Sequence, residues 1–225
     1  MLNKLIFFIH NNSFFKNIFK TLNYCVESSL KDCDTVLDIG CGPDSPIKHC
    51  KNLSYTVGVE PFKKYIEISK KKKIHTEYIN QNIFDLNFEE NSFDAVLMID
   101  IIEHMEKDKA KELILKATKW AKKKIIVSTP NGFVQQAELD GNPLQKHLCG
   151  FTPDDLNSMG FKCKGMAGLK ILRKDQETLQ MDGELLNNIR FKPKIFFFIL
   201  TSISQPIFYW FPKFSFSLFA IKFKK

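Results

Sequence analysis

From Val36 to Ser45 the chain reads Val36-Leu37-Asp38-Ile39-Gly40-Cys41-Gly42-Pro43-Asp44-Ser45. An acid inside an apolar run, followed by two glycines, is a carboxylate carried by a buried strand to the edge of a backbone bend. Glycine has no Cβ, so Gly40 and Gly42 let a ligand approach the main chain closely. Two glycines alone would make an ordinary tight turn; with Asp38 before them and a second acid downstream they read as a ligand loop. That second acid is Glu60, at the end of Thr56-Val57-Gly58-Val59 and followed by Pro61. A carboxylate at such a strand end can accept both hydroxyls of a ribose. A dinucleotide fingerprint requires G-x-G-x-x-G, and its third glycine position here is Ser45, which disfavours a nicotinamide oxidoreductase.

Further polar groups cluster later in the chain. Asp100 follows the apolar run ending at Ile99, where it would either face a ligand or cap the next helix. Glu103 and His104 come next, either at the rim of the ligand site or orienting the following helix. His147 lies in a polar loop, Asn142 to Phe151, as a substrate-contacting residue, a general base or a loop hydrogen-bonder. Gln135, Gln136 and Gln145 are weaker candidates in the same region, and His10, His49 and His75 have no evident partners. The six cysteines form no C-x-x-C pair, so no zinc knuckle and no metal site is expected. They read as free thiols of a reducing cytoplasm.

These residues need strands to deliver them. Val36–Ile39, Thr56–Val59, Thr76–Ile79, Phe93–Ile99 and Lys124–Ser128 read as strands; Pro61–Lys72 and Lys107–Ala121 between them read as helices. Such alternation implies a parallel sheet with helices on both faces, which binds ligands beyond the carboxyl ends of its strands. The run Lys70–Lys73 reads as a solvated helix end. Thr152 and Asp155 mark a helix N-terminus, Phe161–Leu172 returns as a strand, and Ser217–Phe223 is a last one. Phe14, Phe15, Ile18, Phe19 and Leu22 recur at helical spacing, giving one amphipathic helix that either caps the core or lies on an interface. Ile195–Phe211 is apolar but interrupted by Ser204, Gln205 and Pro206, and is expected as two short surface helices.

In these stretches the chain resembles the class I S-adenosylmethionine-dependent methyltransferases, from about Thr35 to Phe161. The loop VLDIGCGPDSP matches the family's D-x-G-x-G motif, VGVEP its second motif, Asn82 to Asp94 its adenine region, Phe93 to His104 its fourth motif and Lys124 to Gly132 its Thr-Pro-Asn strand. The family's loop glycine is Asp44 here, its adenine-contacting Asp is Asn82, and the glycine before that is Gln81. The resemblance implies an α/β, Rossmann-like fold: a mostly parallel seven-stranded sheet with helices on both faces, plus an N-terminal helix and a helical insertion before the last strand. It divides the chain into 1–30, a core of 31–173, an insertion of 174–213 and a final strand in 214–225. It implies S-adenosylmethionine held by Asp38, Gly40, Cys41, Gly42, Glu60, Pro61, Asn82, Ile83, Ile99 and Asp100, with His147 and His104 as candidate catalytic residues.

The chain has 225 residues and a formal net charge of +8, enough for one domain with appendages. Three lysines precede the first acid, Glu27, and seven lysines or arginines follow the last, Glu184, so the surplus positive charge sits on aromatic-rich ends. That pattern disfavours a nucleic-acid partner and points to an anionic membrane surface, with Phe208, Tyr209 and Trp210 among flanking lysines as an interfacial belt. The short apolar run Leu5–Ile9 does not read as a signal peptide. The expected activity is methyl transfer to a small, lipid-linked or glycan acceptor, at oxygen, in the cytoplasm or at a membrane. The competing reading is a non-catalytic donor-binding scaffold at a membrane.

Overall fold

A computed structural model of the chain describes residues 12–174, 186 and 188–224. The run Leu5–Ile9, His10 and part of the expected insertion lie outside the described residues. The chain enters through α1 (Ser13–Ile18) and α2 (Leu22–Ser29), where the periodicity predicts one helix. Lys20 is left-handed (φ 49°) and breaks the run. The Thr21 side chain accepts the Tyr24 N–H and so starts a new helix; satisfying an orphan donor this way favours a fresh N-terminus over continuation. Lys16 pairs with Glu27 and ties α1 to α2.

The central elements follow the expected alternation: β1 (Thr35–Ile39), β2 (Tyr55–Val59), α3 (Lys63–Lys72), β3 (Glu77–Ile79), β4 (Phe93–Ile99), α4 (Lys107–Trp120) and β5 (Ala121–Pro130). Then come α5 (Pro153–Ser158), opened by a complete Thr152–Asp155 capping box, β6 (Lys162–Leu169), α6 (Lys194–Phe208) and β7 (Ser215–Phe223). Lys70, Lys71 and Lys72 occupy the last turn of α3, where cations complement the helix dipole. The seven-stranded sheet runs β3-β2-β1-β4-β5-β7-β6, parallel except for β7, which is antiparallel to both neighbours.

Strand alternation sorts the core into two faces. Leu37, Ile39, Val96, Met98, Ile125 and Val127 meet Ala110, Leu113, Ile114, Ala117 and Trp120 of α4. Val36, Ala95, Leu97, Ile126 and Phe219 meet Cys25 and Val26 of α2. The chain steps from β1 outward to β2 on one side and returns to place β4 on the other. The crevice for a ligand therefore opens above β1 and β4.

Two later expectations change. β6 stops at Leu169 rather than Leu172, because Ala167 and Gly168 take left-handed backbone at a register shift against β7. The expected pair of surface helices is the single helix α6. Pro206 sits in its last turn, where the missing N–H ends the helix two residues later. The polar residues that seemed to interrupt it dock it. Gln205 accepts the Gly168 N–H at 2.6 Å and donates to the Gly165 carbonyl at 3.1 Å, and the Ser204 hydroxyl accepts the Leu169 N–H. A Cβ on Gly165 would stand 2.1 Å from the Phe208 carbonyl oxygen, so only glycine permits this approach.

Candidate active site

Gly40 and Gly42 follow β1 with φ of +66° and +55°. A Cβ on Gly40 would lie 1.9 Å from Cδ1 of Ile101, the residue after Asp100. The first bend is thus fitted against the segment that follows β4. The Gly40 and Cys41 N–H groups both donate to the Val59 carbonyl, tying the loop to the end of β2.

Asp38 is buried, and its Oδ2 accepts from the Ser45 hydroxyl at 2.5 Å and pairs with Nε2 of His75 at 2.9 Å. His75, without an evident partner in the sequence, is therefore part of the site's support. It fits because residue 58 is glycine: a Cβ there would come within 2.9 Å of the imidazole. Glu60 is buried as well. Its two oxygens accept the Gly42 N–H at 3.1 Å and the Phe62 N–H at 2.8 Å. Burial raises its carboxyl above the ordinary glutamate value, partly offset by those two donors.

Above the strand ends lies a crevice with two lobes, of about 150 and 260 Å³. Gly40, Glu60 and Ile101 line both. Pro61, Asn82, Ile83 and His104 line the first; Asp38, Cys41, Gly42, Ile99 and Asp100 line the second. The Asn82 carbonyl oxygen already accepts the Phe84 N–H at 3.0 Å, which leaves its amide N–H groups for a ligand. Sequence reading missed the loop residues Leu139, Asn142 and Leu144, which also line the crevice, and Tyr65, whose hydroxyl donates to Asp140 at 3.0 Å and pins that loop over it. Gln145, a weak candidate in the sequence, reaches both lobes.

Asp100 caps no helix. It has left-handed backbone (φ 54°), and its Oδ1 accepts from the Ser128 hydroxyl at 2.9 Å. Asp100 is an exposed residue that lines the cavities on either side of it, and desolvation by the surrounding protein raises its carboxyl above the ordinary value. Glu103 and His104 do not cap α4 either, since the residue before that helix is Glu106, without a side-chain cap bond. Glu103 is buried, one oxygen accepting from the Thr129 hydroxyl at 3.1 Å and the other, Oε1, without any partner. Burial and then the charge of Asp100 push its carboxyl well above the usual range.

The His104 and His147 rings stand 4.8 Å apart at 60°. Nδ1 of His147 lies 2.6 Å from the Val134 carbonyl and Nδ1 of His104 lies 3.3 Å from the Lys146 carbonyl. A carbonyl only accepts, so Nδ1 of His147 carries the proton and its Nε2 keeps a lone pair, while His104 faces the backbone carbonyls of Lys146, Asp100 and Gln145. Burial lowers both imidazoles, His104 to about 4, so both are neutral at pH 7. Ligand atoms of Glu103, His104 and His147 all fall within 4.8 Å of one another.

Asp100 also borders a second cavity of about 270 Å³ under α6, where Leu22, Met166 and Phe198 stand among polar residues such as Ser128, Thr201 and Gln205. Arg173 enters this cavity. Its Nε donates to the Ala167 carbonyl at 2.7 Å, its guanidinium lies 5.4 Å from the Phe216 ring centre, and burial lowers it to about 10. Among the described residues no acid is paired with it.

Residues 37–124 match the model of the methyltransferase domain family. Over that stretch, from β1 to the start of β5, the chain is similar to a methyltransferase domain. A search of curated proteins finds no match. Solved structures share its fold across almost the whole length. An S-adenosylmethionine-dependent methyltransferase from Archaeoglobus fulgidus is 16% identical, with a TM-score of 0.53 over 94% of this chain and 98% of that one. The plantazolicin methyltransferase BpumL, solved in complex with SAH, is 13% identical, with a TM-score of 0.55 over 99% and 95%. S-adenosylmethionine is the group to which this similarity points. The crevice fits that group: Ile83 and Phe84 offer apolar walls to a base and Glu60 stands where the two lobes meet. When bound, the cofactor supplies a methyl group already activated on a positively charged sulfur.

Proposed function

We propose that the protein is a methyltransferase that holds the adenosine of its donor between Ile83, Asn82 and Glu60, and its methionine end along the Gly40–Gly42 bend, and methylates an oxygen of an amphipathic, lipid-linked acceptor. The observation that carries this reading is Asp100, which lines the donor crevice and the cavity under α6 alike. A donor in the first and an acceptor in the second would meet at that carboxylate. Holding two reactants in line accounts for about 7–11 kcal/mol of a transfer barrier. The acceptor hydroxyl gives up its proton, its oxygen bonds to the methyl carbon, and the carbon–sulfur electron pair returns to the sulfur. Asp100 is the group at this junction able to take that proton, and His104 and His147 stand beside it to position the acceptor oxygen.

The acceptor class is argued from the cavity and its roof. A guanidinium without an acid partner among the described residues, in a chamber of mixed apolar and polar lining, suits an amphipathic body carrying an anionic group. Outside the cavity, α6 turns Ile195, Phe196, Ile199, Ile203 and Ile207 to solvent, with Trp210, Phe211 and Phe214 following and Lys192, Lys194 and Lys213 near them. No helix of the described residues is long and apolar enough to cross a membrane; a helix with such a face lies on one. Incubation with methyl-labelled donor and separated lipid and saccharide extracts tests the reading. Label is expected in an organic-soluble acid, and Arg173→Gln is expected to raise the acceptor KM about tenfold while leaving S-adenosylhomocysteine affinity unchanged. Label confined to water-soluble saccharides would overturn the acceptor class; donor binding with no transfer to any fraction would favour the scaffold.

A further inference from the structure

Glu103, His104 and His147 form a cluster that the donor site does not use in full. Their side chains arrive from two segments: the short turn after β4 supplies Glu103 and His104, and the loop after β5 supplies His147. Two backbone contacts, from the Leu148 and Cys149 N–H groups to the Glu103 carbonyl at 2.8 and 3.2 Å, clamp these segments together. Three observations bear on what the cluster holds. Nδ1 of His147 is 2.6 Å from the Val134 carbonyl, which fixes that ring and leaves its Nε2 as a lone pair, and backbone carbonyls likewise hold the His104 ring; outer hydrogen bonds orient metal-binding histidines in this way. Among the described residues, Glu103 Oε1 is a buried carboxylate oxygen with no hydrogen-bond partner, and a native protein rarely leaves such an atom unpaired. The ligand atoms lie within 4.8 Å of one another, against about 3.4 Å for neighbouring ligands of a tetrahedral ion with bonds of about 2.1 Å. Side-chain movements of roughly an ångström would close the set.

We propose that Glu103, His104 and His147 bind one divalent first-row transition cation, of the zinc or manganese kind, beside the junction of donor crevice and acceptor cavity. Two imidazole nitrogens and a carboxylate oxygen suit such ions better than calcium or magnesium, which take oxygen ligands. Asp100 stands near enough to Glu103 and His147 for its charge to act on both, and completes the negative side of the site. Three protein ligands leave an open position, which an acceptor oxygen can occupy. An oxygen held there would lose its proton more readily, because a bound cation lowers the pKa of the oxygen it holds. The inference goes beyond the acceptor assignment and stands apart from it, because binding is read without any transfer.

The experiment is titration of metal-stripped full-length protein with Co²⁺ alone, followed by calorimetry and by the visible absorption of the ion. One Co²⁺ per chain with a ligand-field band is expected. Glu103→Gln and His147→Gln should each weaken it about 100-fold or more, beyond the 10–100-fold that outer-shell changes bring. Circular dichroism and S-adenosylhomocysteine affinity report whether each variant is folded; if buried Glu103→Gln unfolds the chain, His147→Gln decides. Wild-type protein that takes up no Co²⁺, or uptake that folded His147→Gln leaves unchanged, would overturn the proposal. Neither result touches the question of which extract accepts the methyl group.

Discussion

At the scale of single residues, the donor site is assembled by groups that mostly bind one another. Asp38 spends Oδ2 on Ser45 and His75, and Glu60 holds the Gly42 and Phe62 N–H groups. Their carboxylates shape the loop as well as facing the crevice. Gly40 is the tightest point. A side chain there meets Ile101 at once and must also hold left-handed backbone, which costs roughly 1–2 kcal/mol for a non-glycine residue. Gly40→Ala should therefore lower S-adenosylhomocysteine affinity at least about tenfold, equivalent to about 1.4 kcal/mol. Adding Ile101→Ala should restore part of it by calorimetry. A double variant no better than the single one would show that the collision with Ile101 is not the cause.

At the scale of elements, the register of β1 against β4 decides whether Gly40 and Asp100 share one crevice. Asp94 fixes that register at the far end of the sheet. Its Oδ2 accepts the Asp34 N–H at 2.8 Å and the Thr35 N–H at 3.4 Å, its own N–H donates to the Thr35 hydroxyl at 2.9 Å, and Lys123 pairs with Oδ1 at 3.2 Å. Burial pushes this carboxyl up, but the backbone donors and Lys123 outweigh it and hold it below its ordinary 3.8. A depressed folded-state pKa means that the unfolded chain binds the proton more readily. The stabilisation is thus fully present above about pH 4 and is lost as pH falls through the folded value. Asp94→Asn should cost about 1–2 kcal/mol at pH 7. Its denaturation midpoint should converge on that of the wild type below pH 3.8; a gap that stays constant into acid would mean the carboxylate charge plays no part.

At the scale of the whole molecule, α6 joins the catalytic half to the surroundings. Its inner residues Phe198, Thr201 and Gln205 roof the second cavity, while Ile199 and Ile203, 50% and 59% exposed, face outward. Removing the helix would uncover β6, which Gln205 and Ser204 clasp, so deletion would confuse membrane contact with stability. Ile199→Glu with Ile203→Glu changes only the outer face. This pair should abolish sedimentation with anionic vesicles while shifting stability by no more than about 0.5 kcal/mol per site, as for exposed positions elsewhere. Unchanged sedimentation would remove the membrane from the account of the acceptor.

The sequence by itself determined the central sheet, since apolar runs of strand length between amphipathic helices leave few ways to bury both faces. It also made the glycine bend and its two flanking acids legible, because an acid, two glycines and a second acid one strand later are local features readable in order. It reached the wrong form for α1 and α6. A cap such as Thr21, or a docking residue such as Gln205, reads as polar interruption until its partner is known. What only the tertiary structure decided were pairings between distant segments: His75 on Asp38, Glu103 beside His147, and Asp100 between two cavities. The physical reason is that each depends on segments far apart in sequence, brought together only when the strands pair in the order β3-β2-β1-β4-β5-β7-β6. Hydrophobic period carries no information about which polar side chains that crossover brings together.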